Sequence, residues 1–277
     1  MHKQITVPTW CYAHFGADYS LDVPAEGFGG WKQADLPLCP AHTALCVMHA
    51  WDCPDQAQVP GIYSAVEYLP RAKEILETRM PALLGAFRGA GIRVIHVESG
   101  DYVDKYEEYH RTMKLIRNSL PKEKKQPRPA GDATTKTLGA FRTAHVHPGT
   151  ENRTDIGAAC KIRDIHPNAR PLPGEYMVTK SDELQAVCAR HDINHLIYAG
   201  FAVNYCLLMS PGGMLDMSRR GFLCSVVREA TTAVESGFSA REEMAKQLGL
   251  WNTALSFGFV YAQGDLENAL REGRGRI

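Results

Sequence analysis

The 277-residue sequence lacks several features that would assign it to a specialised class of protein. Its 31 basic residues balance 31 acidic ones, and a neutral chain has no general field that attracts nucleic acid or an anionic membrane. No apolar run is long enough to cross a bilayer, and the first twelve residues contain no apolar core of a signal peptide. We therefore expect a cytoplasmic protein without a nucleic-acid or membrane partner.

Cysteine is present, but not in arrangements that bind metals or form disulfide scaffolds. The eight cysteines are scattered without a C-x-x-C pair, and several lie in apolar runs, so we expect free thiols in a reducing compartment. His145 and His147 are the closest histidine pair, but no aspartate or cysteine ligand stands beside them. No glycine-rich stretch has the lysine of a phosphate loop. The sequence predicts no metal site and no cofactor.

Residues 1–40 show no regular hydrophobic period and are rich in aromatic residues set among Gly, Pro and Asp. Such a segment cannot form a core alone, yet its rings favour burial. We interpret residues 1–40 as an aromatic N-terminal arm that lies across its own domain or across a neighbouring subunit. We therefore predict a homo-oligomer.

Residues 41–271 alternate apolar, strand-like runs with helical periods, which is typical of an α/β domain. A strand, a helix and a second strand in succession give a right-handed parallel crossover. We predict a doubly wound, mostly parallel sheet covered by helices on both faces, followed by a tail at 272–277.

Residues 100–155 are polar and charged, and we interpret them as a surface excursion from the domain, with one helix near 105–116. The basic run at 122–129 has no interleaved aromatic residue, which favours a solvated surface over a nucleic-acid site.

Cys206 is the first candidate for chemistry. It follows an apolar strand at 196–199 and a glycine-containing turn, at a point where a helix should begin. A thiol at a helix start lies near unpaired N–H groups and the positive end of the helix dipole, which favour the nucleophilic thiolate. The alternative is a buried, inert cysteine. His49 and Lys180 follow two other strands, and should converge with Cys206 because parallel strands end at one edge of the sheet.

Three segments carry a resemblance to a known family. They are the first strand and its continuation (43–51), the approach to Lys180 (164–180) and the turn that leads to Cys206 (200–206). In this order they resemble the isochorismatase-like cysteine hydrolases, which include nicotinamidases, N-carbamoylsarcosine amidases and biuret hydrolases. The resemblance covers about residues 42–271. It implies a three-layer α/β fold and cleavage of a C–N bond in a small amide, imide or carbamoyl compound through a thioester.

The resemblance also implies a site made of Asp, Lys and Cys. Lys180 and Cys206 match the last two positions, but His49 stands where the aspartate is expected. Histidine can also accept a thiol proton, so His49 is the candidate base, and its other interpretation is a polar residue hydrogen-bonded at a strand end. Asp52 and Glu98 are outside candidates for the base.

Further details of the site follow from the same resemblance. The N–H groups of Val203 and Cys206 are expected to form the oxyanion hole, with a cis peptide bond between Ala202 and Val203. The segment that usually follows the lysine is shortened here, so the pocket is either wider or closed by the arm or the excursion. Pro and Gly in the run 210–213 should break the helix after Cys206, with a restart near Met214.

Three functional hypotheses remain open at this stage. The first is a cysteine hydrolase, with a small molecule as its substrate. The second is a catalytically impaired member of the same fold that binds a small molecule or a partner, because His49 replaces the expected aspartate. The third is a structural subunit in which Cys206 is occluded. An acting base within reach of Cys206 would favour the first hypothesis.

Overall fold

A fully buried strand, Thr43–Met48, lies near the centre of an eight-stranded sheet in the computed structural model, which describes residues 2–121 and 129–274. All six residues of this strand are apolar or small, as expected for a strand that is covered on both faces. The strands are β1 (Ile5–Ala13), β2 (Gly30–Leu38), β3 (Thr43–Met48), β4 (Trp51–Asp52), β5 (Arg93–Val97), β6 (Asp164–Ile165), β7 (Tyr176–Val178), β8 (His195–Gly200), β9 (Leu223–Thr231) and β10 (Val260–Tyr261).

Helices connect most of these strands. They are α1 (Pro60–Ala65), α2 (Leu69–Thr78), α3 (Met80–Gly89), α4 (Glu107–Ile116), α5 (Ala133–His145), α6 (Arg153–Ile162), α7 (Ser181–Arg190), α8 (Cys206–Met209), α9 (Met214–Arg219), α10 (Met244–Ser256) and α11 (Gln263–Arg274). Within the described ranges, no helix is long and apolar enough to span a membrane.

The main sheet has the order β2-β1-β10-β9-β8-β3-β5-β7, and its strands from β10 to β7 are parallel. Side chains alternate between its two faces, so Leu45 and Val47 pack with α2 and α3, whereas Cys46 and Met48 pack with α7 and α10. This gives three layers, and the predicted α/β class with a doubly wound, mostly parallel sheet is confirmed.

The prediction that residues 1–40 are irregular is wrong for most of that segment. β1 and β2 form an antiparallel hairpin, which joins the sheet where Trp10 of β1 pairs with Val260 of β10. The hydrophobic period is weak because most side chains of this hairpin are only partly buried or exposed. The hairpin therefore extends the chain's own sheet, and the aromatic residues Phe15 and Tyr19 lie exposed near its tip.

The excursion at 100–155 contains more regular structure than predicted. The predicted helix near 105–116 is confirmed as α4, but α5 and the start of α6 are also helical. α5 buries no residue, so it lacks the apolar period by which a helix is recognised, although Asp132 caps it by accepting a hydrogen bond from the Thr135 N–H at 2.7 Å. Most of the basic run, 122–128, lies outside the described residues.

The C-terminal boundary also moves. α11 continues to Arg274, so the prediction of a tail from 272 is wrong for residues 272–274, and 275–277 lie outside the described residues. The apolar side chains of α11, Leu266 and Leu270, are buried in the core on the α2 and α3 face of the sheet.

We predict that Gly200→Ala destabilises the protein by about 3 kcal/mol or more, because it strains the last residue of β8. Gly200 has φ +119°, and an added Cβ would lie 1.9 Å from the backbone oxygen of Met48. Gly91→Ala is the control, since Gly91 also has a positive φ (+70°) but open space around it, and it should cost only about 1 kcal/mol. Urea denaturation measures both, and equal losses would contradict the close approach of β8 to β3.

Candidate active site

Three adjacent parallel strands end level with one another at one edge of the sheet. Met48 of β3 pairs with Gly200 of β8 on one side and with Val97 of β5 on the other. The residues that follow these ends are His49, Glu98 and the turn leading to Cys206. The fold therefore brings an imidazole and a carboxyl group to the strand edge from which the turn to the cysteine departs.

Cys206 is the first residue of α8 and is partly buried. The predicted helix break is confirmed, since α8 ends at Met209 and α9 begins at Met214. The Ser210 side chain and the backbone of Ala202 both hydrogen-bond the thiol. These contacts direct two polar groups at the sulfur atom.

The expectation of a stabilised thiolate is wrong for this structure. Burial raises the pKa of the Cys206 thiol, and the opposing effects of Ser210, Ala202 and the Arg163 charge do not outweigh it. The dipole argument fails because α8 has only four residues, too few to build a large macrodipole. Burial thus shifts Cys206 toward its protonated thiol form.

The predicted oxyanion hole needs a correction at Val203. The Val203 N–H donates to the carbonyl of Thr232 at 2.9 Å, and so it does not face the thiol. The cis peptide bond lies one residue earlier than predicted, between Phe201 and Ala202 rather than between Ala202 and Val203. The Cys206 N–H has no partner within α8, because it begins that helix. Ala202 and Cys206 therefore replace Val203 and Cys206 as the candidate donors.

His49 is 6% exposed, and its ring stacks on Trp51 with centroids 4.5 Å apart and an interplanar angle of 16°. Its N–H donates to the Val97 carbonyl at 3.2 Å, which holds its backbone against the end of β5. Burial, helped by the Arg163 charge, lowers the pKa of His49 to about 4. The imidazole is therefore neutral at pH 7 and has a lone pair available.

Glu98 is a buried carboxyl group at the end of β5, and only 1% of it is exposed. Its Oε2 accepts hydrogen bonds from the Trp51 Nε1–H at 2.9 Å and from the Tyr102 hydroxyl. Burial raises the pKa of Glu98 to about 7 despite these two bonds, a backbone hydrogen bond from Ala50 and the nearby Arg163 charge. A carboxyl group in this range can exchange a proton at neutral pH.

Arg163 is a site residue that the sequence analysis missed. Its guanidinium lies 4.1 Å from the centroid of the Trp51 ring, and its Nη2 is 2.8 Å from the Sγ of Cys160. Its positive charge lowers the pKa of both His49 and Cys206. Arg163 follows α6 and precedes β6, which pairs with β4, so it reaches the site from the excursion side rather than from a strand end. No sequence pattern marks Arg163, because it does not stand at the end of a long strand.

The structure places the other two candidates differently from His49. Lys180 is exposed and lies immediately before α7, and its N–H donates to Glu183 Oε2 at 3.3 Å, so the helix begins directly after the lysine as predicted. Asp52 is exposed next to Trp51 on β4. Neighbouring residues of a strand face opposite sides, so Asp52 points away from the Glu98 side to which Trp51 points. Asp52 is therefore not supported as the base.

The donor set at this edge does not match a metal site. Across 2–121 and 129–274, no three His, Cys, Asp or Glu side chains are grouped closely enough to hold an ion.

We predict that Glu98→Gln changes the pH dependence of stability. Between the ordinary carboxyl pKa of 4.5 and about 7, folded Glu98 binds a proton that the unfolded chain has released, so this group lowers stability as pH rises through that window. His49 acts in the opposite direction between about 4 and 6.5, but it is common to both proteins. Between pH 5 and pH 8, the free energy of unfolding of the variant should rise by about 3 kcal/mol relative to that of the wild type. Urea denaturation at the two pH values measures this change. Parallel pH profiles would contradict a buried, proton-binding Glu98.

Comparisons with known proteins find similar solved structures. A cysteine hydrolase from Pseudomonas syringae pv. phaseolicola is 17% identical with a TM-score of 0.48, over 86% of this chain and 96% of that chain. An isochorismatase family protein from Burkholderia thailandensis is 16% identical with a TM-score of 0.48, over 84% of this chain and 97% of that chain. An N-carbamoylsarcosine amidase from Thermoplasma acidophilum is 14% identical with a TM-score of 0.40, over 80% of this chain and 96% of that chain.

No family model matches the sequence, and no curated protein matches it. The solved structures to which this chain is similar thus include a protein of the isochorismatase family, the family whose motifs the sequence resembles.

Proposed function

We propose that the protein is a cysteine hydrolase that cleaves the C–N bond of a small amide, imide or carbamoyl compound, with Cys206 as the nucleophile. The observation that carries this proposal is the arrangement at the end of β8. A partly accessible thiol accepts polar contacts from Ser210 and Ala202, beside strand ends that carry the neutral imidazole of His49 and the titratable carboxyl of Glu98. Such a combination of nucleophile, base and donors suits acyl transfer.

The reaction would proceed in two steps. His49 accepts the thiol proton, Cys206 Sγ attacks the carbonyl carbon, and the resulting oxyanion receives hydrogen bonds from the N–H groups of Ala202 and Cys206. The C–N bond then breaks, the proton passes to the leaving nitrogen, and ammonia or an amine departs. Water hydrolyses the remaining thioester and restores the thiol. No cofactor is required for any of these steps.

Two cations are candidates for stabilising the thiolate. Arg163 lowers the pKa of Cys206, which is the direction that a thiolate requires. Lys180 remains a proposal from the sequence pattern, and its exposed position makes contact with a substrate at the mouth of the site its most direct role.

A binding protein of the same fold is the second candidate function. The raised pKa of the Cys206 thiol favours it, because a thiol that stays protonated reacts slowly without an effective base. In either case we propose a homo-oligomer, since Phe15 (75% exposed) and Tyr19 (88% exposed) offer apolar surface near the hairpin tip.

The hydrolase is tested by ammonia release from nicotinamide, N-carbamoylsarcosine, biuret and acetamide. Cys206→Ala should lower the rate on any amide that is cleaved by at least about 1,000-fold, because the nucleophile is lost. Cys11→Ala is the matched control, since Cys11 is partly buried like Cys206 but lies in the hairpin strand β1, outside the proposed site, and its loss should leave the rate unchanged. A Cys206→Ala variant that remains active would contradict the proposal, and release from none of the four would favour the binding protein.

The state of the thiol gives a separate prediction. Alkylation of Cys206 by iodoacetamide in the ligand-free protein should titrate with a midpoint above the ordinary thiol pKa of 9.0. Arg163→Gln should move the midpoint higher still, because it removes a charge that favours the thiolate. Lys161→Gln on the same helix end, an exposed position, is the charge-matched control and should not move it. A midpoint below 9.0, or one unmoved by Arg163→Gln, would contradict this electrostatic description.

A further inference from the structure

Two buried polar atoms of the site lack hydrogen-bond partners. Within 2–121 and 129–274, four buried side-chain atoms are unpaired, and two of them, His49 Nδ1 and Glu98 Oε1, belong to neighbouring strand ends. Leaving one such atom unpaired costs about 1–3 kcal/mol, so an arrangement that pairs the two with each other would be favoured. A protonated Nδ1 would be a donor that complements the acceptor Oε1, and neither atom has a hydrogen-bond partner in the structure.

The two side chains already share a neighbour. The His49 ring stacks on Trp51 at 4.5 Å, and the Trp51 Nε1–H donates to the other oxygen of Glu98 at 2.9 Å. The backbone of His49 is also bonded to the carbonyl of Val97, the residue before Glu98. These contacts hold the imidazole and the carboxyl group on the same side of adjacent strand ends.

The carboxyl group is fixed at one end and open at the other. Trp51 and Tyr102 both donate to Oε2, and the backbone of Ala50 also contributes a hydrogen bond to the carboxyl group. Oε1 is the oxygen that has no hydrogen-bond partner, and so it is the one available to His49. If His49 Nδ1 carries the proton and its N–H donates a hydrogen bond to Oε1, then Nε2 is the ring nitrogen with a free lone pair. This is the tautomer that a base facing a thiol requires.

We infer that Glu98 is a positioning residue that pairs with His49 Nδ1 and makes Nε2 the proton acceptor for Cys206. The inference rests on the proposed function in taking Cys206 as the nucleophile. Pairing requires a movement of the imidazole, because Nδ1 and Oε1 form no hydrogen bond in the resting site. The three groups then form a Cys–His–Glu relay that uses the ends of β8, β3 and β5.

The proton balance of the relay is simple. The Cys206 S–H bond breaks, its proton joins His49 Nε2, and the sulfur lone pair forms the new bond to the carbonyl carbon. The imidazolium lies close to the cationic Arg163, which disfavours it, and the Glu98 carboxylate offsets that repulsion. When the C–N bond breaks, the proton moves from Nε2 to the leaving nitrogen. Above its pKa of about 7, Glu98 is ionised and keeps its charge throughout.

The test reads the ring nitrogens of His49 directly, by ¹H–¹⁵N NMR of histidine-labelled protein at pH 8. In the wild type, Nδ1 should carry the proton and Nε2 should be unprotonated. In Glu98→Gln, the His49 pKa should fall below that of the wild type, and alkylation of Cys206 at pH 8 should slow at least tenfold. Tyr102→Phe is the control for packing, because it perturbs the same cluster but keeps the carboxylate.

Each outcome decides the inference. An Nε2–H tautomer in the wild type would overturn it whether or not the Glu98 variant folds. A folded Glu98→Gln with an unchanged His49 pKa and unchanged alkylation would overturn it as well, whereas equal losses in Tyr102→Phe would assign Glu98 a packing role only. The failure of the proposed function is distinguishable, because it appears as amide hydrolysis that persists in Cys206→Ala or as ammonia release from none of the four amides, and it leaves the tautomer of His49 unaffected.

Discussion

The indole of Trp51 is the contact on which the arrangement of the site depends. Its face stacks with His49, its Nε1–H bonds Glu98, and the guanidinium of Arg163 lies over its ring. Each of these interactions is worth about 1 kcal/mol, but together they bring an imidazole, a carboxyl group and a cation from three parts of the chain to one residue. The short pairing of β4 with β6 fixes this geometry, because it joins the residue that carries the indole to the segment that carries Arg163.

Burial sets the protonation of the whole cluster. It raises the pKa of Cys206, raises that of Glu98 to about 7 and lowers that of His49 to about 4, so each group is driven toward its uncharged form. With its pKa lowered to about 4, the His49 imidazole is neutral at pH 7, and in the mechanism that we propose charge develops only when a proton moves from sulfur to imidazole. Chemistry at this site therefore depends on how well Glu98 and Arg163 accommodate that charge.

The sequence was sufficient to predict the features that follow from local rules. An apolar run predicts the strand before Cys206, and Pro and Gly predict the helix break at 210–213. The shortened segment after Lys180 predicts that α7 starts directly after this lysine. The hairpin of β1 and β2 was not predictable in the same way, because its pairing with β10 is long-range and leaves little periodic burial.

Long-range placement also explains what was missed in the site. Arg163 is more than a hundred residues from His49 in the sequence, yet its charge lowers the pKa of His49. The pairing of the two short strands β4 and β6 brings the two residues together, and no local sequence pattern marks Arg163. The Val203 N–H was assigned from a family pattern, but in this chain the carbonyl of Thr232 on the neighbouring segment accepts its hydrogen bond. Which donor faces the thiol is decided by that tertiary contact.

The most direct test of the central claim is to detect the thioester at Cys206. An acid-quenched reaction with the best amide of the panel would be digested and analysed by mass spectrometry, with hydroxylamine added in a parallel reaction to compete with water. We predict an acyl group on the peptide that contains Cys206, and a hydroxamate product when hydroxylamine is present. Release of ammonia with neither the adduct nor the hydroxamate, or an adduct on another residue, would contradict it.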